Sequence, residues 1–340
     1  MVMQTILGRT GLSVNKDGFG ALPIQRVSFA ESAVILRRAL DGGINFIDTA
    51  RGYTDSEEKI AAAISDRRQE YYLASKTPSG DAEGFWKDLE TSLANLKTDH
   101  IDLYQFHNPA KMPRPGDGTG LYEAMLRARE KGMIRFIGIT NHRLPVAREA
   151  VESGLYDTLQ FPLSYLSGER DIELVELCAV NRLGFIAMKA LAGGLITDIA
   201  AARASLAVYS GVVPIWGIQR ESELDALFTA MAGPAELTEA QRRRIEADRK
   251  DLTGAFCRGC GYCLPCPENI VLNWCVRMPQ ALRRMPATEL FSEHWQQEMA
   301  KIENCRRCGL CKSRCPYGLD IPVLLQKNYA DYRDQLARRN

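Results

Sequence analysis

Residues 44–66 read INFIDTARGYTDSEEKIAAAISD. They hold a short apolar run (INFID, 44–48), a polar turn, and a segment with helical apolar spacing (SEEKIAAAISD, 56–66). A run of that length reads as a strand, and the spacing after it as an amphipathic helix. The unit recurs along the chain. Further apolar runs stand at 17–21, 71–75, 101–106, 134–139, 157–161, 183–188 and 212–217. Helical periodicity fills 28–43, 56–66, 82–96, 121–132, 145–154, 172–182, 201–211 and 221–231. Several of these segments end in Gly, a common helix stop. Eight strand–helix alternations in about 230 residues predict an α/β fold, a (β/α)8 TIM barrel. An open doubly wound sheet would need a G-x-G-x-x-G turn after the first strand, and that turn is absent.

The chain has 340 residues, 46% hydrophobic and 25% charged, a globular composition large enough for one big domain and one small one. Its 43 basic and 42 acidic residues leave a net charge of +1. That balance gives no reason to expect a nucleic-acid or membrane-surface partner. No apolar run approaches the roughly 20 residues that span a bilayer. The opening MVMQTILGRTGLS lacks the basic-then-apolar pattern of a signal peptide, so a cytoplasmic protein is expected. The expected organisation is a barrel over 1–235, a charged connector helix over 236–251, a small mainly α-helical domain over 252–330, and a C-terminal tail over 331–340. The first 251 residues carry a formal charge of −4 and the remainder +5.

In such a barrel the chemistry sits on loops at the C-terminal strand ends. Asp48 follows INFI and Tyr53 comes five residues later; Lys76 follows YYLAS; His107 follows IDLYQF. Adjacent parallel strands lie about 4.8 Å apart, so these four side chains can converge. The set suits proton transfer to a carbonyl oxygen. A tyrosine of pKa near 10 is a poor acid at pH 7; a neighbouring ammonium is expected to lower that pKa, and a carboxylate to hold the ammonium in place. The histidine can orient the carbonyl oxygen. Taken singly, each has a structural explanation: a cap, a rim residue, a solvated cation, a satisfied buried imidazole. Their arrival at consecutive strand ends favours the catalytic reading.

On these residues the sequence resembles the aldo-keto reductase family. The matching segments are GRTGLSV (8–14), INFIDTARGYTDSEEKIAAAI (44–64), SKT (75–77), DHIDLYQFHNP (99–109), KGMIRFIGITNH (131–142), LQF (159–161) and PIWGIQRESEL (214–224). The resemblance covers about residues 1–235. It implies an oxidoreductase with a nicotinamide cofactor, NADP or NAD, lying across the C-terminal face, and a small-molecule carbonyl substrate. It implies a catalytic tetrad of Asp48, Tyr53, Lys76 and His107, with Tyr53 the acid. It places Asn141 and Gln160 at the nicotinamide amide, and Gly217, Gln219 and Arg220 at the cofactor phosphates. Met188 stands where the family keeps an aromatic residue against the nicotinamide, and offers no flat platform. The loop after 217 lacks the family's basic ending, and Arg220 is a single charge.

Ten cysteines mark the rest, nine of them within 257–315. One run is Cys257-x2-Cys260-x2-Cys263-x2-Cys266-Pro; the other is Cys305-x2-Cys308-x2-Cys311-x3-Cys315-Pro. The second matches the bacterial-ferredoxin pattern for [4Fe–4S] ligation. In two-cluster ferredoxins the cysteine before proline serves the other cluster. That resemblance implies one cluster on Cys257, Cys260, Cys263 and Cys315, and another on Cys305, Cys308, Cys311 and Cys266. A pair of zinc sites is the alternative. The helical spacing between the motifs resembles the α-helical two-cluster ferredoxins. Cys178 and Cys275 sit in apolar contexts and read as packing residues. Arg258, Arg306, Arg307, Lys312 and Arg314 lie in or beside the motifs, where they can offset cluster charge or dock an acidic electron-transfer protein.

A nicotinamide gives two electrons as hydride, whereas a cluster takes one at a time. No flavin motif is visible to join them. The preferred expectation is NAD(P)H-dependent carbonyl reduction, with the clusters stabilising the domain or sensing redox state. The alternatives are an enzyme whose clusters feed a substrate held on the barrel without nicotinamide hydride, and a non-enzymatic electron-transfer module.

Overall fold

A computed structural model of the chain describes residues 3–234 and 236–339. Met1, Val2, Ala235 and Asn340, at the edges of the expected barrel and tail ranges, lie outside the described residues. A short antiparallel hairpin comes first, β1 (Gln4–Ile6) with β2 (Ser13–Asn15). Eight parallel strands then close on themselves: β3 (Gly18–Gly20), β4 (Phe46–Asp48), β5 (Tyr72–Thr77), β6 (Ile101–His107), β7 (Ile134–Thr140), β8 (Thr158–Pro162), β9 (Gly184–Met188) and β10 (Val212–Gly217), which pairs back to β3. The expected barrel is present, and each of the eight apolar runs supplies one strand.

The outer ring is α1 (Phe29–Asp41), α2 (Ser56–Ile64), α3 (Ala82–Leu96), α4 (Leu121–Glu130), α5 (Leu144–Glu152), α6 (Glu169–Val180), α7 (Ile199–Ala207) and α8 (Glu221–Ala232). Local chemistry sets the ends of these helices. Ser28 Oγ accepts from the Glu31 N–H at 3.2 Å, and Glu31 accepts from the Ser28 N–H at 2.8 Å; this reciprocal cap starts α1. Each helix turns an apolar stripe onto the strands, and the stripes merge into the main core.

The hairpin, absent from the sequence reading, plugs the N-terminal end of the barrel. Leu7, Leu12 and Val14 pack there against Phe46, Leu103, Ile186 and Val213. Gly8 makes this possible: at φ +52° a Cβ would lie 2.1 Å from the Gly184 nitrogen. The opposite, C-terminal end is left for chemistry.

The connector forms α9 (Glu239–Leu252), held by Ile245 in the core, by Asp248 accepting from the Tyr165 hydroxyl, and by Arg249 donating to the Tyr165 carbonyl at 2.8 Å. Beyond it the described elements are helical: Leu272–Cys275, Met278–Arg284, Ala287–Leu290, Glu293–Ala300, Leu310–Arg314 and Ile321–Ala337. They share their own core, including Leu272, Met278, Leu290, Met299, Ile302 and Leu325. The expected tail over 331–340 is largely helix. Residues 331–337 finish the helix that begins at Ile321, and Tyr332 is 2% exposed in that core, donating to the Leu290 carbonyl at 2.8 Å. Leu325 and Tyr332, seven apart, share the buried face. This domain lies on the C-terminal face of the barrel. Arg26 Nη1 donates to the Leu282 carbonyl at 2.6 Å and Arg284 Nη1 to the Gly217 carbonyl at 2.9 Å. The buried ion pair of Arg258 with Asp171 fastens the first cysteine motif to α6. Among the described residues no helix is long and apolar enough to cross a membrane.

Candidate active site

Asp48 ends β4, Lys76 lies near the end of β5, His107 ends β6, and Tyr53 stands in the loop after β4. Lys76 Nζ donates to Asp48 Oδ2 at 2.7 Å and to the Thr49 carbonyl at 2.5 Å. Asp48 and Lys76 are 2% and 1% exposed, so each charge depends on the other. The second Asp48 oxygen accepts from Gln105 Nε2 at 3.2 Å. Gln105 lies two residues before His107 and therefore on the same face of β6; the sequence reading passed over it, although that spacing marks it. The ammonium is 5.1 Å from the Tyr53 ring centre. The His107 ring meets the Tyr53 ring edge-on at 5.7 Å. The four expected residues are thus brought together.

Burial raises the Tyr53 phenol above its ordinary value, while the charge and hydrogen bond of Lys76 pull it down without prevailing. This corrects the expectation of a net lowering: removal from water outweighs the ammonium. Burial first, then Lys76, pushes His107 down to about 3, so its imidazole is neutral at pH 7.

The residues expected at a nicotinamide are less uniform. Gln160 is 1% exposed, and its Oε1 finds no hydrogen-bond donor among the described residues, which fits a carboxamide N–H. Asn141 is already committed: its Nδ2 donates to the Pro109 carbonyl at 2.9 Å, and its Oδ1 accepts from the N–H groups of His142 and Arg143. Met188 is half-buried against the barrel's inner apolar cluster. Gly217, Gln219 and Arg220 border a cavity of about 710 Å³ on the C-terminal face, a size that suits a large ligand. Gln219 Oε1 is also buried without a donor. These residues fit the phosphate end and the amide acceptor of a dinucleotide.

The cysteine domain meets the barrel beside this face. The Arg258 carbonyl accepts from His142 Nδ1 at 2.6 Å and from Lys189 Nζ at 3.0 Å. Cys257, Cys260, Cys263 and Cys315 line one cavity, and Cys266, Cys305, Cys308 and Cys311 line a second, which Cys263 also borders. Among the described residues no group of three or more His, Cys, Asp or Glu side chains closes on a single-ion position. Thiols ringing two cavities, with no set drawn in to a single-ion position, fit an iron–sulfur cluster better than a zinc ion. Arg277, not foreseen, reaches this first motif: a Cβ on Gly259 would lie 2.0 Å from its Nη1. The expected basic surplus is largely committed elsewhere. Arg258 turns inward to Asp171 and over the Tyr317 ring, Arg306 pairs with Glu268, and Lys312 pairs with Asp320. Cys178 and Cys275 are 1% and 0% exposed in apolar surroundings.

Residues 17–205 match the model of the Aldo/keto reductase family, and residues 256–320 match that of a 4Fe-4S dicluster domain. The chain is 29% identical to the uncharacterized oxidoreductase YqkF of Bacillus subtilis, over 56% of this chain and 66% of that protein. It is 28% identical to the methylglyoxal reductase DkgB of Salmonella typhimurium, over 70% of this chain and 92% of that one. The holo form of an aldo-keto reductase from Bacillus halodurans shares its fold at a TM-score of 0.64 and 21% identity, covering 73% of this chain and 96% of that one. With an eight-stranded barrel, the four ionisable residues at its strand ends and a family match across more than half its length, this chain belongs to the aldo/keto reductase family and carries a 4Fe-4S domain behind the barrel.

Proposed function

We propose that this oxidoreductase reduces a small aldehyde or ketone with NAD(P)H, and that Tyr53 gives the proton to the carbonyl oxygen. The supporting observation is the buried Lys76–Asp48 pair beneath the Tyr53 ring, with neutral His107 at its edge. The dinucleotide, when bound, supplies the hydride that reaches the carbonyl carbon. The chain's residues do the rest. Tyr53 carries its proton at neutral pH, as an ordinary phenol does, and burial raises its pKa further. It releases that proton to the developing alkoxide, a far stronger base, so the C=O bond becomes an alcohol. The adjacent ammonium stabilises the phenolate left behind. Asp48 keeps Lys76 charged and aimed, and Gln105 fixes Asp48. Neutral His107 donates an N–H to the carbonyl oxygen and orients it. Gln160 would accept from the nicotinamide amide, and the basic cavity at Arg220 would hold the phosphates.

For the domain behind the barrel we assign two [4Fe–4S] clusters, one held by Cys257, Cys260, Cys263 and Cys315 and the other by Cys266, Cys305, Cys308 and Cys311. Such clusters carry single electrons. Thiols that must stay reduced suit the cytoplasm. In a second reading the substrate is reduced by single electrons without hydride, and an acidic carrier docks near the exposed Arg307 and Cys308. Two observations favour it: the Arg258 carbonyl is tied to His142 and Lys189 beside the site, and Asn141 is spent on its own loop.

Methylglyoxal, named for the relative DkgB, is the first substrate to try. Anaerobic holoprotein should oxidise NADPH in its presence, and Tyr53→Phe should lose that turnover while keeping its iron. Unchanged turnover in Tyr53→Phe removes the tyrosine from the reaction.

A further inference from the structure

The cavity of about 710 Å³ beside Gly217 lies between the two domains. The barrel contributes Arg26 and Arg220 to its lining; the iron–sulfur domain contributes Arg283 and Arg284. Four guanidinium groups face one carboxylate, Glu223, which is bound to the Gln219 N–H at 2.8 Å, to Arg220 at 3.3 Å and to Arg284 at 3.5 Å. The lining thus keeps a formal surplus of three positive charges. The cations work against one another: after burial, Arg284 and Arg220 depress the Arg26 pKa, and Arg220 and Arg283 oppose Glu223 at Arg284. Like charges gathered around a ligand-sized space are stable when an anion joins them.

Three of the arginines are held in place by carbonyls across the domain boundary. Arg26 binds the Leu282 carbonyl at 2.6 Å, Arg283 the Gly194 carbonyl at 3.2 Å and Arg284 the Gly217 carbonyl at 2.9 Å; Gln219 Nε2 crosses back to the Arg283 carbonyl at 3.1 Å. A guanidinium has five N–H donors in a rigid fork, so each retains donors for a ligand. The helix Met278–Arg284 that carries two of them also packs on the turn Ala192–Gly194. The iron–sulfur domain therefore supplies the basic end that the 217–220 loop lacks.

We propose that Arg283 and Arg284, facing Arg26 and Arg220, form a phosphate clamp shared by the two domains, whose ligand is an adenine nucleotide phosphorylated at both the 5′ and 2′ positions. This rests on the dinucleotide reading above and deepens it. Charge count selects the ligand: a 2′-phosphate brings close to two further negative charges to a site with three positive ones in excess. It also means that the domain bearing the cysteines takes part in cofactor selection.

The test is calorimetric titration of the full-length, anaerobically purified holoprotein with adenosine 2′,5′-bisphosphate, AMP and inorganic pyrophosphate as probes. The bisphosphate should bind at least about 10-fold more tightly than AMP, an advantage that shrinks with added salt. Arg283→Ala and Arg284→Ala should each weaken it by about 10- to 100-fold at unchanged iron content, the loss of one charge-assisted contact. Arg284→Lys should recover part of the loss, since it keeps the charge without the fork. The proposal is overturned by variants that bind the bisphosphate as the parent does, by a parent that binds AMP equally well, or by one that takes pyrophosphate but no adenine nucleotide. Carbonyl reduction is read separately. Turnover with NADH but no bisphosphate binding sinks the clamp alone, whereas bisphosphate binding without turnover sinks the reductase reading alone.

Discussion

The barrel mouth and the cysteine cavities above it bury ionisable groups in opposite ways. In the barrel Lys76 meets Asp48 and Arg203 meets Asp17, and at the domain boundary Arg258 meets Asp171. In the cysteine domain eight thiols gather around two cavities, and burial with neighbouring sulfurs pushes Cys263 up to about 12. Free thiols in that state would not ionise at neutral pH, whereas cluster ligands must be thiolates. The barrel's quartet of Asp48, Tyr53, Lys76 and His107 is complete in its own side chains. The cysteine site is built for a group the chain does not supply, so the two regions should respond differently to loss of iron and to mutation.

The largest effect expected is on the iron side. Chelation of iron from anaerobic protein should leave the barrel folded while residues 257–337 become open to protease, because ligand binding and folding are coupled in such domains. Protection that survives complete iron removal would mean that the cysteine domain holds its fold without a cluster. Within the domain, Cys315→Ser and Cys266→Ser should each remove about half the iron, with different cluster signals lost in electron paramagnetic resonance. Loss of the same signal in both would contradict the exchange of the fourth cysteines between motifs.

On the barrel side, Lys76→Met should lower kcat by about 10²- to 10⁴-fold, the range of a positioned proton-transfer group and its support. Asp48→Ala should destabilise the fold by about 3–5 kcal/mol in urea unfolding, because it leaves Lys76 charged and without its carboxylate. A cost below about 1 kcal/mol would mean that water reaches the ammonium, as at exposed pairs.

The smallest effect is a pH dependence. An unfolded histidine titrates near 6.5, but folded His107 titrates at about 3. Between those values the unfolded chain holds a proton that the folded chain refuses. Stability is therefore full above pH 6.5 and declines as pH falls toward 3, by at most about 1.4 kcal/mol per pH unit. Unfolding at pH 7 and pH 5 should show the decline, and His107→Gln should reduce it. Equal slopes in parent and variant would place the titration elsewhere, with His142, also pushed down by burial, as the next group to change.

The barrel was legible because its signal is repeated: eight runs each carry their own period, and α3 spans the residues its spacing marks, Ala82–Leu96. The quartet was legible because strand ends on a barrel share a face. The hairpin at residues 4–15 was not, since three-residue strands are too short for a period to register. The end of the last helix is hard to read from sequence because polar and charged residues outnumber apolar ones in DYRDQLA (331–337), and its inward anchors, Leu325 and Tyr332, are few. The direction of the Tyr53 pKa depends on how deeply the ring is buried, which residue types do not state. Arg283 and Arg284 acquire their meaning only from how one domain lies on the other, and nothing in a local window of sequence encodes that docking.

In the proposed reaction hydrogen reaches the carbonyl carbon as hydride from a dinucleotide and the carbonyl oxygen as a proton from Tyr53. The most direct measurement is the origin of the carbon-bound hydrogen in the alcohol formed from methylglyoxal, with unlabelled NADPH in heavy water under anaerobic conditions. Hydride transfer should leave no deuterium on the newly reduced carbon beyond that gained by exchange in the substrate itself. Full deuterium at that carbon would mean that electrons and a solvent proton arrived separately, and would contradict it.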